Sequence, residues 1–586
     1  MYVLGIGCYY HDASACLLKD GRIIAGAEEE RFTRIKHDTS FPLNAIRFCL
    51  RQAKISIKQV DYVAFYEKPL LKFERLLSQH LEMAPLSLKT FLNSTPSWIN
   101  EKLRVMRPIK KNLKYRGDVL FVQHHMAHAA SCFLVSPFKE AAILTVDGVG
   151  EWTTTSYGAG KGNKIELIKE IRFPHSIGLL YSTLTAYLGF SVNNSEYKVM
   201  GLSACGNMDK RTNPYYAKLK KVIDVKDDGS FAFDMSYFVF HYKDRMPSKK
   251  LCRLLGSSPE KRGAEMTKRH KDIAAALQLI TEEVLTRILN HVYKEVKCDN
   301  IVIAGGVGLN SVFNGKILRN TPFKNIWIQP AAGDGGTSLG TAFYAYNTIL
   351  GKKRSFVMKD AYLGPEFSAK EVKKFLGNNK IKYSEFKTQK EIIKKTAKLI
   401  YDNNVVGWFQ GRMEWGPRAL GSRSILSNAC NPEAQKILNE KVKHREKFRP
   451  FAPVVCEDDA LKYFDCDKPI PSPTDFMLMV YPIKKQWHKK IPAVTHVDGS
   501  GRLQTIRRHQ NPLYYDVIKE FGRLSGIPIM INTSFNIRGE PIVCTPYDAY
   551  KCMMGTGIDY LVMSKFLIKR ADNPNDMWDS EKYAKD

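Results

Sequence analysis

The chain has 586 residues, of which 44% are hydrophobic and 25% charged, a composition typical of a soluble globular protein and longer than one hydrophobic core usually serves. We therefore expect two domains. The formal net charge of +30 can attract phosphates, nucleic acid or acidic membranes without choosing between them, and the alternative is that many of the lysines lie in solvated runs such as 380–398 and have no functional role. Because no apolar stretch approaches the about 20 residues of a membrane helix, and no secretory signal begins the chain, we expect a cytoplasmic protein without a membrane span.

The N-terminal region predicts a strand-rich start that recurs later in the chain. Within the first thirty residues we predict three strands, at 2–7, 13–19 and 22–27. Asp20-Gly21 separates the last two, and Asp-Gly between apolar runs is the strongest short hairpin signal. A second apolar strand, 141–147, ends at Asp147-Gly148 and is followed by a threonine-rich strand at 153–158. The pattern suggests two halves with one plan.

Helices and strands alternate in the middle of the chain. We predict a long amphipathic helix at 272–296, because its apolar residues keep helical spacing. The strand, turn and helix segments that follow are 300–304, 305–306, 309–318, 325–329, 333–336 and 337–350. A succession of strand, glycine turn and helix is typical of α/β domains, in which ligands collect at those turns.

A charged run at 351–354 marks a predicted domain boundary. Beyond it the chain turns lysine-rich before a new strand at 404–409. We predict a first domain at 1–352, a connecting segment at 353–390 and a C-terminal domain at 391–586.

Two histidines form a candidate metal site. His124 and His128 lie one turn apart on a predicted helix, so their imidazoles face the same side and can bind one metal ion. Asp334, in a glycine turn, is a possible third ligand. A mixed histidine and carboxylate set suits iron, zinc or manganese. A histidine pair that lies at the surface or caps the helix remains the alternative.

Two glycine-rich turns place bare backbone amides at helix starts, where phosphate oxygens are stabilised. One contains Gly305, Gly306 and Asn310, and the other spans 333–337. A single glycine pair is weak support, since turns often need glycine for steric reasons. Together with the polar loop after the first strand and with Asp147-Gly148, these turns resemble the nucleotide cleft of the actin, hexokinase and Hsp70 superfamily.

Basic residues are concentrated in the last third of the chain. Arg418 and Arg423 stand on a turn that also contains Trp, Pro and Gly, and solvated charge runs rarely have that composition, so we predict that they face a ligand. Arg449 precedes an apolar segment and is a candidate for bidentate oxyanion binding. Loops at 498–505 and 532–536 add Arg, Asn and Ser donors. This concentration suits polyanionic substrates.

Taken together, these motifs closely resemble the NodU/CmcH family of O-carbamoyltransferases, which carbamoylate nodulation factors and cephem and aminoglycoside antibiotics. The resemblance runs over nearly the whole length. It is carried by 10–15, 29–38, 124–128, 146–148, 198–202, the two glycine turns, 415–424, 445–454 and 532–543. One departure is visible: where the family commonly has Ala-x-Tyr-Gly, this chain has Ser203-Ala204-Cys205-Gly206, which leaves the identity of the acceptor in doubt.

The resemblance implies two domains with separate chemistry. The N-terminal domain is expected to adopt the duplicated, RNase H-like and actin-like fold of tRNA threonylcarbamoyl transferases, and the C-terminal domain an α+β fold similar to YrdC carbamoyl-adenylate synthases. In the C-terminal domain, ATP with Mg²⁺ and carbamoyl phosphate would form carbamoyl-adenylate. The residues implied to bind these substrates are Arg418, Arg423, Lys443, Arg449, Arg502, Asn532 and Ser534.

In the N-terminal domain the carbamoyl group would then pass to a hydroxyl of a small-molecule or sugar acceptor. A metal ion held by His124, His128 and Asp334, Fe²⁺ or else Zn²⁺ or Mn²⁺, would act as a Lewis acid. The implied catalytic residues are His11, Asp12 and Lys36. His11 is the candidate base, and the alternative is that it only binds substrate. The residues implied to bind nucleotide are Asp147, Gly148, Lys198, Gly201, Gly305, Gly306 and Asn310.

Two other functions stay open. A tRNA threonylcarbamoyl-type modification enzyme would explain the basic charge, and it predicts tRNA binding that weakens steeply with salt. We find no recognisable nucleic-acid module, so nucleic acid is not expected as a partner. A non-catalytic, nucleotide-dependent binding protein is the second alternative, but it leaves the arginine-rich C-terminal third unexplained. The sequence does not identify the acceptor, and related enzymes make a homodimer a reasonable expectation.

Overall fold

A computed structural model of the chain describes residues 1–446 and 448–573. These residues divide into two compact units: the first comprises Met1–Ala25 and Thr39–Val357, and the second Gly26–Asp38 and the chain from Met358 onward. Sequence analysis did not foresee that Gly26–Asp38, here called segment 26–38, belongs with the second unit. Position 447 and residues 574–586 of the predicted C-terminal domain lie outside the described residues.

The first unit contains two five-stranded sheets with the same topology. The first has the order β3-β2-β1-β4-β5, with β1 (Tyr2–Gly7), β2 (Ser14–Lys19), β3 (Arg22–Glu28), β4 (Tyr62–Phe65) and β5 (Asp118–Phe121). The second has the order β12-β11-β6-β7-β8, with β6 (Glu140–Val146), β7 (Thr153–Lys161), β8 (Lys164–Arg172), β11 (Asn300–Ala304) and β12 (Asn325–Trp327). A separate hairpin pairs β9 (Ile223–Val225) with β10 (Phe231–Phe233).

In each sheet the central strand, β1 or β6, pairs antiparallel with the next strand in sequence and parallel with a later one. The last strand is in turn parallel to that later strand. This repeated order is what a duplicated actin-like fold requires, so the α/β fold and the two halves with one plan are confirmed. The hairpin between β2 and β3 is also confirmed: Asp20 and Gly21 both have positive φ, as a two-residue type I′ turn demands.

Helices follow the strands of the first unit. Those of seven or more residues are Leu43–Ala53, Pro69–Glu82, Leu88–Asn100, Met106–Asn112, His124–Phe133, Ile177–Tyr187, Glu196–Ser203, Lys249–Leu255, Lys268–Val296 and Thr337–Phe343. The shorter ones are Tyr216–Leu219, Ser311–Asn314 and Ile317–Asn320. No helix of the described ranges combines the length and the apolar character needed to cross a membrane.

Two of the predicted helices differ from the structure in form. The segment 309–318 contains two four-residue helices rather than one long helix, because the first ends at Gly315 after Asn310 has capped its start by accepting a hydrogen bond from the Phe313 amide. The segment 337–350 is α-helical only over Thr337–Phe343 and continues as a π-helical turn.

A close helix pair holds the centre of the first unit together. The buried helices His124–Phe133 and Thr337–Phe343 pack against each other, and Thr337–Phe343 also packs on β1 and β2. A Cβ atom on Gly340 would lie 1.9 Å from the carbonyl oxygen of Ala127, so this approach requires glycine. The small residues of both helices allow the contact, which fixes the orientation of the histidine helix.

The second unit is built on one mixed sheet. Its order, among the described residues, is β13-β21-β20-β14-β15-β19-β16-β18-β17. The strands are β13 (Ser384–Glu385), β14 (Val406–Phe409), β15 (Arg423–Asn428), β16 (Ala452–Cys456), β17 (Met479–Pro482), β18 (Ser500–Ile506), β19 (Ile529–Ser534), β20 (Tyr560–Met563) and β21 (Phe566–Lys569). The helices are Glu30–Thr33, Ala369–Asn378, Gln389–Tyr401, Ala434–Ile437, Glu457–Tyr463, Pro512–Ser525 and Pro546–Met554. Its apolar core includes Trp408, Tyr514, Phe521 and Met530.

A pair of glycine substitutions tests this packing. We expect Gly5→Ala to lower the free energy of unfolding by about 3 kcal/mol, because the new Cβ would lie 1.8 Å from the carbonyl oxygen of Ser338. The matched control Gly377→Ala stands on an exposed helix with no atom within 4 Å of the new Cβ. It should instead stabilise by about 0.5 kcal/mol, since alanine favours helix. Urea denaturation followed by circular dichroism measures both changes, and a Gly5→Ala midpoint equal to that of the wild type would refute the described contact.

Candidate functional site

Four buried side chains of the first unit converge after the carboxyl ends of its strands. His124 and His128 stand on the helix that follows β5, Asp147 directly follows β6, and Asp334 lies in the turn that follows β12. In α/β folds this edge of the sheet is where ligands bind. The two histidines and Asp334, which the sequence analysis grouped together, are indeed neighbours here, and Asp147 joins them.

The donor atoms of this cluster are close enough to share one cation. His124 Nε2 lies 3.0 Å from His128 Nε2 and 3.1 Å from Asp147 Oδ2. Asp334 Oδ1 lies 3.3 Å from His128 Nε2 and 3.6 Å from His124 Nε2. One ligand atom from each of the four residues falls within 4.8 Å of the others. Two imidazole nitrogens and two carboxylate oxygens are a donor set that suits a divalent transition metal.

The polar atoms of the cluster test whether such an ion fits. Asp334 is 2% exposed, and neither of its carboxylate oxygens has a hydrogen-bond partner among the described residues. A buried carboxylate without such a partner is costly, and metal coordination is one of the few arrangements that offset the cost. The residues present therefore fit a metal ion, and the group could bind one.

Electrostatics keep the cluster charged. Burial by itself would raise the pKa of Asp147, but hydrogen bonds to His124 and His128 hold that pKa well below its usual value. Burial would likewise lower the pKa of His128, yet Asp147 and Asp334 raise it to about 9. Asp147 and His128 therefore stabilise each other's charged forms.

The predicted catalytic residues His11 and Asp12 lie beside this cluster, in the loop after β1. His11 Nε2 is 3.6 Å from Asp334 Oδ2, and His11 Nδ1 is 3.0 Å from Asp12 Oδ2. Burial opposes protonation of His11, but the field of Asp334 and the hydrogen bond to Asp12 raise its pKa to about 10. Its role as base, and that of Asp12, stay predictions.

Outer contacts orient the histidine helix. The backbone amide of His124 donates to both carboxylate oxygens of Glu151, each at 3.1 Å. Gly306 donates its amide to Asp147 Oδ1 at 2.8 Å. Glu151 was not predicted from the sequence. Asp147 was predicted only as a nucleotide-binding residue, because a glycine follows it. The usable signal for Asp147 was that it ends an apolar strand.

The residues predicted to bind nucleotide are only partly brought together. Gly305 has φ +94, and its Cβ would lie 2.2 Å from the Val146 carbonyl oxygen, so this turn lies against the end of β6 beside Gly148. Asn310 exchanges two hydrogen bonds with the side-chain amide of Gln278. The remaining two residues of this set, Lys198 and Gly201, stand on the helix Glu196–Ser203. Their roles stay predictions.

A buried carboxylate shapes the arginine-bearing turn of the second unit. Glu414 Oε1 accepts hydrogen bonds from the backbone amides of Leu420, Ser422 and Arg423 at 2.9, 2.6 and 3.0 Å. Three such bonds fix the turn that carries Arg418. Glu414 was not among the predicted residues, since an acidic side chain before a basic turn has no distinctive sequence signal.

Arg423 has an environment unlike the one expected. It is fully buried, its guanidinium donates to the carbonyls of Gln410, Ser422, Pro365 and Gly411, and it stacks on Phe409 at 3.7 Å. Burial lowers its pKa to about 10. These contacts make it a support of the turn, and substrate binding by Arg423 would have to compete with them. That role stays a prediction.

Lys443 and Ser534 are brought together as predicted neighbours of one ligand site. Lys443 Nζ donates to the carbonyl and hydroxyl oxygens of Ser534 and, at 2.9 Å, to Asn536 Oδ1. Burial, with help from Arg445, lowers the pKa of Lys443 well below its usual value. The positive charge of Lys36 also lowers the pKa of Lys443, so Lys36 lies near Lys443. Lys36 stands in segment 26–38, which belongs to the second unit and not to the first. Its catalytic role stays a prediction.

Asn532 links two of the predicted loops. It is buried and donates to the carbonyl of Ala419 at 2.9 Å and to Gln504 Oε1 at 2.5 Å, while Gln504 Nε2 donates to the carbonyl of Leu420. The arginine turn, β18 and β19 are thereby tied to one another. Arg418 and Arg502 are partly exposed.

Arg449 Nη1 lies 3.5 Å from Glu446 Oε2. This contact does not test the predicted role of Arg449 in substrate binding.

Segment 26–38 is held in the second unit by two arginines. Arg31 donates to the carbonyl of Gly416 at 2.8 Å, and Arg34 to the carbonyls of Ile542 and Pro541 at 2.7 and 2.8 Å.

Comparison with known proteins agrees with this arrangement. The family model for the carbamoyltransferase N-terminus matches residues 2–343, and that for the carbamoyltransferase C-terminus matches residues 397–570. An uncharacterized protein of Synechocystis, sll1178, is 44% identical over 98% of this chain and 97% of its own length. Nodulation protein NolNO of Sinorhizobium fredii is 34% identical over 97% of this chain and 80% of its own length. An uncharacterized protein of Methanocaldococcus jannaschii, MJ1058, is 31% identical over 97% of this chain and 99% of its own length. The chain therefore belongs to the carbamoyltransferase family and is a transferase.

Proposed function

We propose that this carbamoyltransferase is ATP-dependent and works in two steps. The second unit forms carbamoyl-adenylate from carbamoyl phosphate and ATP, and the first unit transfers the carbamoyl group to a hydroxyl of a small-molecule or sugar acceptor. The observation that carries the proposal is a difference between the units: the first contains a buried cluster of two histidines and two aspartates, whereas the second gathers cationic and amide donors. The chemistry of each set matches one step.

Polyanionic substrates suit the donors of the second unit. ATP and carbamoyl phosphate both carry phosphate oxygens, which Arg418 and Arg502 would bind by charge-assisted hydrogen bonds. With Mg²⁺ bound to ATP, charge that develops at the α-phosphate would be balanced, and the fixed turn behind Glu414 supplies the positioning. Water would cleave carbamoyl phosphate to carbamate and phosphate, and a carbamate oxygen would then attack the α-phosphorus of ATP and displace diphosphate, which gives the mixed anhydride.

The first unit offers the complementary chemistry. A divalent metal bound by His124, His128, Asp147 and Asp334 would supply Lewis acidity toward the carbamoyl carbonyl. His11, whose Nε2 lies 3.6 Å from Asp334 Oδ2, would then contact the acceptor hydroxyl or the phosphate group of the departing AMP. Burial of the cluster limits access of water, which protects a labile anhydride from hydrolysis.

Membership of an enzyme family removes the non-catalytic alternative. The tRNA-modifying alternative has no supporting observation among the described residues beyond the basic net charge.

Separate half-reactions test the division of labour. Arg418→Ala should lower carbamoyl-phosphate-dependent diphosphate release about 100-fold, because a charge-assisted contact to the reacting anion is lost. His128→Ala should leave that release within about threefold of the wild type and abolish carbamoyl transfer to sugars. Radiolabelled ATP and carbamoyl phosphate measure both steps. Arg508→Ala, an exposed arginine paired with Asp516, is the control and should change neither. A folded His128 variant that loses both half-reactions would contradict the proposal.

Metal content tests the fourth ligand, which the sequence did not indicate. We expect the wild-type protein to bind one Fe²⁺, Zn²⁺ or Mn²⁺ per chain and to unfold at a higher temperature when it is loaded. Asp147→Asn keeps the shape but removes the charge, and it should weaken binding about tenfold or more. Elemental analysis after dialysis and thermal unfolding are the readouts. Asp299→Asn, an exposed carboxylate of the same unit, is the matched control. Equal metal affinity in Asp147→Asn and the wild type would exclude Asp147 as a ligand.

A further inference from the structure

A buried arginine without a polar partner lies in the first unit, on the helix Pro69–Glu82. Arg75 is 5% exposed, and within residues 1–446 and 448–573 its Nε atom has no hydrogen-bond partner. Among the described residues its guanidinium forms no other hydrogen bond or ion pair, and its Cζ lies 4.8 Å from the centre of the Phe173 ring. Burying a charge this way is costly unless something pairs with it.

The neighbouring carboxylates are already engaged. Glu67 Oε2 accepts from Lys72 Nζ at 2.6 Å. Glu151 accepts from the backbone amides of Lys68 and His124. Burial lowers the pKa of Arg75 to about 10 against the opposing fields of Tyr10, Glu67 and Glu151, so the side chain stays charged at neutral pH. A positive charge is thus kept in a buried position without a direct counter-ion.

Arg75 stands on the same helix as Lys72, whose Nζ lies 5.2 Å from the centre of the Tyr10 ring beside the candidate transfer centre. The Tyr10 ring is 4.6 Å from the ring of His11, which contacts Asp334 of the metal cluster. Burial raises the pKa of Tyr10. The negative charges of Asp334 and Asp147 raise this pKa further, whereas the positive charge of Arg75 lowers it, so Tyr10 lies within the fields of Arg75 and of the two carboxylates. The guanidinium therefore belongs to the surroundings of the reacting groups.

The helix that carries Arg75 is an addition to the duplicated plan. Between β4 and β5 the chain inserts three helices, Pro69–Glu82, Leu88–Asn100 and Met106–Asn112. The equivalent connection of the second half, between β11 and β12, runs only from 305 to 324 and contains short helical turns. An element that only one half has is suited to substrate selection rather than to the shared architecture.

We propose that Arg75 binds an anionic group, a carboxylate or a phosphate ester, on the acceptor that receives the carbamoyl group. The proposal rests on the proposed function and names its acceptor class. Stacking on Phe173 holds the guanidinium plane, and the planar fork of donors matches an oxyanion in a bidentate manner. A sugar acid or a sugar phosphate meets both requirements, since it offers an anion for Arg75 and a hydroxyl for carbamoylation.

Equilibrium binding to the full-length protein tests this without turnover. Calorimetric titrations without ATP or carbamoyl phosphate would use three probes: D-glucuronate, D-glucose 1-phosphate and D-glucose. We expect the wild type to bind at least one of the two anions about tenfold more tightly than glucose, and Arg75→Met to lose that preference. Which anion binds distinguishes a carboxylate from a phosphate. Because no chemistry is measured, failure of the two-step mechanism would leave this result unaffected.

A matched arginine separates a ligand contact from a structural one. Arg354 of the same unit also stacks on a phenylalanine, Phe133, at 4.7 Å, but it donates to the carbonyls of Leu134 and Phe138. Arg354→Met should lower the melting temperature, because it leaves buried carbonyls unpaired. Arg75→Met should leave the melting temperature unchanged or raise it, since no partner is lost.

Three results would overturn the proposal. The first is a wild type that prefers neither anion over glucose. The second is an Arg75→Met protein that retains the preference, or that melts as early as Arg354→Met and binds all three probes equally weakly. The third is weakened binding of AMP with unchanged binding of both sugar anions, which would assign Arg75 to the nucleotide instead of the acceptor.

Discussion

Two buried carboxylates that face two buried imidazoles are the constraint on which the first unit depends. Asp147 and Asp334 repel each other, and only the imidazoles or a bound cation can balance them. The four ligands come from both halves of the duplicated fold, after β5, β6 and β12. Their geometry therefore requires both sheets to be assembled and the helix pair to meet at Gly340. Fold and site are determined by the same contacts.

Local signals in the sequence predicted much of this unit. The strands at 2–7 and 300–304 and the Asp20-Gly21 turn have the expected bounds and form. The histidine spacing was readable because one helical turn places both imidazoles on one face. Asp147 was not recognised as a neighbour of His124, because the proximity arises from pairing between distant strands, which no local pattern records. The helix predicted at 309–318 is instead two short helices, Ser311–Asn314 and Ile317–Asn320, and the apolar spacing alone did not reveal the break between them.

In the second unit the basic residues could be picked out from the sequence, but their hydrogen-bond partners could not. Composition and turn residues indicated Arg423, and the family resemblance implied Lys443, yet each is bonded to oxygens of its own chain. An arginine side chain donates to backbone carbonyls where the ends of strands and the loops leave carbonyl acceptors unpaired, and otherwise it can donate to a ligand. Tertiary structure decides where those unpaired acceptors lie. Glu414 is the clearest case: its effect on the arginine turn comes from three backbone amides that the sequence does not distinguish from any others.

Segment 26–38 shows why the chain cannot be divided at one boundary. Arg31 donates to a backbone carbonyl of the arginine turn, and Arg34 donates to a backbone carbonyl in the loop after β19. Glu28 adds a return contact by accepting from the Gly416 amide at 2.7 Å. A second unit without this segment would expose those carbonyls and lose the charge of Lys36 near Lys443. The strand β3 (Arg22–Glu28) ends inside this segment, so no single cut in the chain separates the two units.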